Sequence, residues 1–149
     1  MDFICNTEND TIKLGEKLAA FAQKGDVFAL FGTLGMGKTV LSRAFIQKLC
    51  NASEVPSPTF TLLQIYDTTN FPIYHFDLYR LKSPEEIFEI GMEEAIYDGV
   101  SLIEWPEKMG AYLPNKAIKI SIFPHGAGRK IIIDSENLAQ KQRLESFDE

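Results

Sequence analysis

The sequence FGTLGMGKTVLS, which begins at Phe31, restricts the fold more than any other part of the chain. Its glycines and its Gly-Lys-Thr ending have the spacing of a loop whose backbone N–H groups surround phosphate. The preceding run DVFALF suits a strand buried on both faces. From Lys38 to Leu49 the apolar residues recur every three or four positions, which predicts a helix. Strand, glycine-rich loop and helix in this order predict an α/β fold of the P-loop NTPase type.

Further strands and a hairpin are predicted downstream of this loop. The predicted strands are TFTLLQIY (59–66), IYHFD (73–77) and VSLIE (100–104). AIKISIF (117–123) alternates apolar and polar residues, and KIIID (130–134) follows it after a glycine-containing turn, which indicates an antiparallel hairpin near the C-terminus. The predicted architecture is a mixed sheet flanked by helices.

Three further helices are expected around the sheet. The first covers Thr11–Gln23, with Asn9 or Asp10 as its N-cap. The second begins at the capping box of Ser83 and runs toward Gly91. The third covers the tail from residue 136 to residue 147.

Length and composition favour one domain over residues 1–149, without room for a separate substrate domain. The 15 basic residues form no cluster and are outnumbered by 21 acidic residues, so a role on nucleic acid would need a partner. Cys5 and Cys50 match no metal or redox spacing. The N-terminus carries no long apolar run of the kind found in signal peptides and membrane anchors. The expected location is therefore the cytoplasm.

The loop predicts a nucleotide and Mg²⁺ as ligands. Lys38 would reach the terminal phosphates, and the hydroxyl of Thr39 would bind magnesium. Carboxylates at strand ends usually complete such a site, and both Asp77 and Glu104 directly follow apolar runs. We expect Glu104 on the metal side and Asp77 to position water or metal, although either order fits the sequence.

Other residues near these motifs carry weaker signals. Thr59 lies at the start of a predicted strand. Either its hydroxyl contacts the terminal phosphate, or the residue is simply a threonine at a strand start. Trp105 directly follows Glu104, so its side chain would pack either near the nucleotide or in the core. His75 is interpreted as a strand residue rather than a general base.

Other nucleotide enzymes are disfavoured by the sequence. A guanine-binding site would carry the sequence Asn-Lys-x-Asp. The corresponding sequence here, NKAI from Asn115, has Ile118 in place of the aspartate. Small-molecule kinases use several lid arginines around the transferring phosphoryl group. Only four arginines occur in this chain, and two of them, Arg43 and Arg143, lie in the loop's own helix and in the tail.

Four motifs in register, GTLGMGKT, SPTFTL, YHFDLYRL and LIEWPE, resemble the TsaE family of bacterial threonylcarbamoyladenosine synthesis. The resemblance extends from TIKLGEKLA to the GAGR turn. It implies a small ATPase that acts with TsaB and TsaD, which transfer a threonylcarbamoyl group to an adenosine beside the anticodon in tRNAs reading codons that begin with A. In that family the ATPase resets the complex and does not perform the transfer, and it meets tRNA only through the complex.

The resemblance also implies roles for particular residues. The expected nucleotide contacts are Gly35, Met36, Gly37, Lys38, Thr39, Val40, Trp105 and Arg129. The expected magnesium contacts are Thr39, Glu104 and Asp77, and the residues tied to hydrolysis are Lys38, Asp77, Thr59 and Glu104. The family more often has an acid after the first loop glycine and a small residue before the last, where this chain has Thr33 and Met36. A role of that acid in partner docking or water control is therefore not carried over to this chain.

Two alternatives of different classes remain open on the sequence. A small-molecule phosphotransferase would phosphorylate a metabolite. A nucleotide-gated binding module would change its partner affinity with ATP occupancy and would need no hydrolysis.

Overall fold

The computed structural model describes residues 1–33, 37–50, 55 and 62–147. Seven strands form one mixed sheet in the order β1-β7-β6-β2-β5-β4-β3. The strands are β1 (Asp2–Cys5), β2 (Val27–Phe31), β3 (Leu63–Tyr66), β4 (Ile73–Asp77), β5 (Val100–Glu104), β6 (Ile118–His125) and β7 (Gly128–Ser135). The helices are α1 (Glu8–Phe21), α2 (Lys38–Leu49), α3 (Met92–Asp98) and α4 (Leu138–Leu144), with 3₁₀ helices η1 (Pro84–Phe88) and η2 (Pro106–Tyr112).

The four central strands are parallel to one another, and antiparallel strands lie outside them. β2 pairs with β5 and β6, and β4 pairs with β5, in parallel. β3, β7 and β1 are added in antiparallel orientation, and β6 with β7 forms the predicted hairpin. The predicted α/β fold with a mixed sheet is confirmed. The carboxyl ends of the parallel strands meet at one edge, where α/β sheets generally bind ligands.

Helices cover both faces of the sheet because side chains alternate along the buried strands. Phe28 and Leu30 of β2 contribute to one core with α1, α2 and α4. Val27 and Ala29 of the same strand contribute to the other core with η1, α3 and η2. None of the described helices combines the length and apolarity that crossing a bilayer requires.

The first helix begins earlier than the sequence predicted. Thr7, rather than Asn9 or Asp10, is the N-cap, so α1 starts at Glu8. The Thr7 hydroxyl accepts a hydrogen bond from the backbone N–H of Asp10 at 3.2 Å, and the Asp10 carboxylate accepts one from the N–H of Thr7 at 3.2 Å. Asp10 is therefore the third residue of a capping box and not the cap.

The region predicted as one helix from Ser83 toward Gly91 is divided. The predicted capping box of Ser83 and Glu86 is present, but it opens only the short η1. Gly91 adopts φ 78°, a left-handed conformation, and becomes the N-cap of a separate helix, α3, that the sequence analysis did not predict. The tail helix α4 is likewise shorter than predicted.

Gly15 allows α1 and α2 to pack closely. A Cβ atom at this position would lie 2.8 Å from the Leu41 carbonyl oxygen and 2.9 Å from the Ala44 Cβ. We expect Gly15→Ala to lower the free energy of unfolding by about 1–3 kcal/mol, the usual cost of overpacking. Urea denaturation measures the change. Ala20→Ser, which also adds one heavy atom but on the exposed face of α1, should have little effect; equal losses in the two variants would contradict the close packing.

Candidate nucleotide site

Two carboxylates lie at paired positions where adjacent parallel strands end. Asp77, the last residue of β4, is opposite Glu104, the last residue of β5. Glu104 is also opposite Leu30 of β2, the strand that leads into the glycine-rich loop. Both carboxylate residues are only 5% exposed. The fold therefore brings both predicted acids to the edge of the sheet from which the loop emerges.

The helix after the loop begins without a side-chain cap. Gly37 is its N-cap, with φ 92°, a left-handed conformation that favours glycine. The first N–H groups of a helix lack intrahelical partners, and here they belong to the turn of Lys38, Thr39 and Val40. Such a helix start attracts anions. The predicted loop residues Gly35 and Met36 lie outside the described residues, as does Thr59.

Lys38 places a buried ammonium group in this site. The residue is 5% exposed, and Nζ has no hydrogen-bond partner among the described residues. Burial lowers the pKa of Lys38, and this effect is partly offset by the negative charges of Glu104, Glu107 and Asp77. A buried ammonium without a partner is unfavourable. An anion bound at the start of α2 would supply the missing partner, so Lys38 fits a phosphate ligand.

Trp105 lies directly against Lys38. Nζ is 4.0 Å from the centroid of the indole ring, a cation–π contact, and Tyr79 packs on the same ring with a centroid distance of 4.8 Å. Trp105 adopts φ 59° and ψ 49°, a left-handed conformation that costs a non-glycine residue about 1–2 kcal/mol. Trp105 thus lies beside Lys38 and also packs against the core formed with η1, α3 and η2, so both of its interpretations describe its position.

His75 joins the site, although the sequence analysis interpreted it as an ordinary strand residue. Its Nε2 lies 2.7 Å from Oε2 of Glu104, and both side chains are buried. Its Nδ1 is also buried and has no partner among the described residues. The signal in the sequence was the alternation along β4, which directs residues 75 and 77 to the same face of the sheet. His75 therefore orients the Glu104 carboxylate.

Asp77 has a different local environment. Its Oδ1 accepts a hydrogen bond from the backbone N–H of Tyr79 at 3.0 Å, and its own N–H donates to the carbonyl of Leu62. These bonds hold the carboxylate where β4 turns away from the sheet. Asp77 and Glu104 are thus neighbours with different partners, which is consistent with different roles.

A cavity of about 220 Å³ adjoins the start of α2. Gly37 and Val40 form one side, and Arg129 on the β7 end of the hairpin forms another. The remaining lining comes from Cys5, Asn6, Thr7, Glu8 and Thr11, together with Ala127 and Gly128. The structure thus brings Arg129 and Val40 together, as the predicted nucleotide contacts require. The contribution of the segment between β1 and α1 was not predicted, because its polar residues carry no recognisable motif.

The fold and this edge of the sheet define a class of α/β protein in which a Gly-Lys-Thr loop opens a helix beside carboxylates at the ends of parallel strands. The family model described as "Threonylcarbamoyl adenosine biosynthesis protein TsaE" matches residues 5–131. The chain belongs to the TsaE family, and the resemblance noted in the sequence is confirmed.

Individual relatives agree with this assignment. The chain is 47% identical over 120 residues to the tRNA threonylcarbamoyladenosine biosynthesis protein TsaE of Rickettsia felis, covering 80% of this chain and 70% of that protein. It is 34% identical over 146 residues to the protein of the same name from Haemophilus influenzae, covering 94% and 92%. The crystal structure of Bacillus subtilis YdiB matches with a TM-score of 0.83 at 27% identity, over 99% of this chain and 93% of that one.

Proposed function

We propose that this chain is a magnesium-dependent ATPase that supports threonylcarbamoyl modification of tRNA together with TsaB and TsaD. The observation that carries the proposal is the Nζ of Lys38, which is buried without a hydrogen-bond partner among the described residues, at the start of a helix that has no side-chain cap. A buried cation beside helix N–H groups that lack intrahelical partners favours phosphate, because both donate hydrogen bonds to it and the helix dipole adds to the field. The TsaE relatives are named for the same modification.

The proposed nucleotide site extends from the phosphates to the base. The N–H groups at the start of α2 and Lys38 would hold the phosphates, and Gly35 and Met36 would complete the loop. The cavity between Val40 and Arg129 adjoins this helix start, and its volume of about 220 Å³ lies just below the range of about 300–1,000 Å³ that is typical of ligand pockets. We therefore assign the nucleoside to that cavity.

The residues present also fit magnesium. Among the described residues, no three His, Cys, Asp or Glu side chains form a group that could hold a metal by themselves. Magnesium usually takes one or two carboxylates together with phosphate oxygens and water, so it does not need such a group. Thr39, Glu104 and Asp77 would hold it, with His75 orienting Glu104. The bound ion would neutralise phosphate charge.

The proposed hydrolysis depends on few cationic groups. Lys38 would withdraw charge from the terminal phosphate, while Asp77 would orient the attacking water and Thr59 would contact the terminal phosphate. P-loop enzymes that lack an arginine finger are slow, and they are accelerated when a partner completes the site. We therefore propose slow hydrolysis by the isolated chain and faster hydrolysis with TsaB and TsaD.

The proposed role is to reset the complex between turnovers rather than to transfer the threonylcarbamoyl group. An acidic chain with 21 acidic against 15 basic residues suits contact with tRNA only through its partners. We also propose that the protein works in the cytoplasm, a reducing compartment that suits its two free cysteines, Cys5 and Cys50.

The test is phosphate release from Mg-ATP by the purified chain, first alone and then with TsaB and TsaD. Release should rise when the partners are added. Glu104→Gln keeps a group that can hydrogen-bond His75 but removes the charge that would hold magnesium. We expect this variant to lower release at least about tenfold, since even indirect metal ligands contribute that much. Glu145→Gln, an exposed change on the tail, is the matched control.

The outcomes separate the proposal from its alternatives. Bound ATP without any rise in release would favour the nucleotide-gated module. Transfer of phosphate to a metabolite would favour the phosphotransferase. Full activity of Glu104→Gln would contradict the assignment of Glu104 to magnesium.

A further inference from the structure

A second concave site lies on the opposite face of the sheet from α1 and α2. η1, α3 and η2 surround an apolar groove of about 460 Å³, which we call the acidic groove for the charges described below. Met92 and Met109 form its buried floor, and Phe88 and Tyr112 form exposed walls, 44% and 43% exposed. The two aromatic rings contact each other edge-on with centroids 5.0 Å apart. Exposed aromatic side chains around such a concavity are typical of protein-binding surfaces.

The charge of the protein is concentrated in the segment that forms this groove. Residues 83–114 contain eight of the 21 acidic residues and only one of the 15 Lys and Arg residues, Lys108. The 13 acidic residues elsewhere are outnumbered by the other 14 basic residues, so this segment alone makes the chain acidic. Glu85, Glu89, Glu93 and Glu94 are exposed and form no ion pair with another described residue. Glu93 itself lines the groove.

The acidic groove is connected to the nucleotide site through the backbone. η2 begins at Pro106, directly after Glu104 and Trp105. η1 begins at Pro84, seven residues after Asp77, and Leu78 lies in the same core as the groove floor. A protein bound in the groove would therefore contact the elements that follow both strand-end carboxylates along the chain.

We propose that the acidic groove binds an amphipathic helix of a partner protein, with apolar side chains spaced three or four residues apart and Lys or Arg residues flanking them. The apolar side chains would enter between Phe88 and Tyr112, as in other helix-in-groove complexes. The flanking cations would face the uncompensated carboxylates, which favours a basic partner over an acidic one. We assign this helix to the TsaB–TsaD pair, and that assignment rests on the proposed function.

The experiment measures binding of the intact chain to immobilised TsaB–TsaD pair. Phe88→Ser shortens one wall of the groove, and Glu89→Lys with Glu93→Lys reverses two of its charges. We expect each variant to weaken binding at least about tenfold, the usual effect of losing a central aromatic anchor or of opposing like charges. Wild-type binding should also weaken as NaCl is raised.

Matched controls distinguish the groove from general surface effects. Tyr97→Ser removes an 83%-exposed aromatic residue from α3 outside the groove, and Glu145→Lys reverses an exposed charge directly after α4. Both should bind like the wild type, and all variants should keep ATP affinity and melting temperature. If the groove variants bind the pair as tightly as the wild type does, the groove is not the docking site, and the proposed function is unaffected. If the wild type does not bind the pair, both the docking site and the proposed function are wrong. If the wild type forms a dimer that the groove variants do not form, the occupant of the groove is a second copy of this chain.

Discussion

Lys38→Met is expected to abolish ATP binding and, at the same time, to raise the stability of the nucleotide-free protein. The wild-type Nζ is buried without a hydrogen-bond partner among the described residues, and an unsatisfied buried polar group costs about 1–3 kcal/mol. The contact with the Trp105 ring offsets part of this cost. Methionine is unbranched, similar in length and uncharged, so it retains the packing. We expect a gain of about 1 kcal/mol, or about 2–4 °C in melting temperature.

The direction of the pH dependence follows from the pKa of Lys38. Burial lowers this pKa below its ordinary value of 10.5, so the unfolded chain binds the proton more tightly than the folded one. The buried charge therefore destabilises the folded wild type fully at neutral pH, and the free energy of unfolding rises only as the pH approaches 10.5. The difference in stability between Lys38→Met and the wild type should become smaller over that alkaline range. Thermal unfolding at neutral and alkaline pH measures this difference, and calorimetric titration measures ATP affinity.

Lys48→Met is the matched control on the same helix. Lys48 is exposed in the last turn of α2, so its removal should leave ATP affinity unchanged and lower stability slightly through the helix dipole. A lower melting temperature for Lys38→Met than for Lys48→Met would show that Lys38 is satisfied in the free protein. Retained ATP affinity in Lys38→Met would remove the basis of the proposed function.

Part of this site could be predicted because its signals are local. The glycine spacing, the apolar run before it and the helical pattern after it all lie within a short stretch around Lys38. Asp77 and Glu104 each follow an apolar run, and parallel strands place their carboxyl ends at the same edge of the sheet. The sequence therefore indicated which residues would be neighbours. Their roles in metal binding and hydrolysis remain predictions.

The features that the sequence analysis missed depend on distant pairing. β1 has no apolar alternation of its own and becomes a strand because it pairs with β7. That pairing brings Cys5 and Thr7 beside Arg129 and creates the cavity. The contact between His75 and Glu104 likewise joins two strands and requires the register of β4 on β5. No short-range pattern contains such information.

Arg143→Met is expected to destabilise the protein by about 2–3 kcal/mol, the cost of leaving a buried carboxylate without its charged partner. The guanidinium of Arg143 forms two hydrogen bonds with the Asp26 carboxylate, at 2.7 and 3.1 Å, and Asp26 is only 4% exposed. Arg143 also stacks on Phe21, with Cζ 4.5 Å from the ring centroid. The pair joins α4 to the residue immediately before β2, the strand that leads into the phosphate loop.

The comparison that makes this prediction specific uses a second ion pair on the same helix. Lys141 contacts Asp134 at 3.2 Å, but both side chains are about half exposed or more, so Lys141→Met should cost less than about 1 kcal/mol. Adding Asp26→Asn to Arg143→Met should recover part of the loss, because it removes the uncompensated buried charge. Urea denaturation of the four variants, including Asp26→Asn alone, completes a double-mutant cycle. Equal losses for Arg143→Met and Lys141→Met would mean that burial of Asp26 does not strengthen its ion pair.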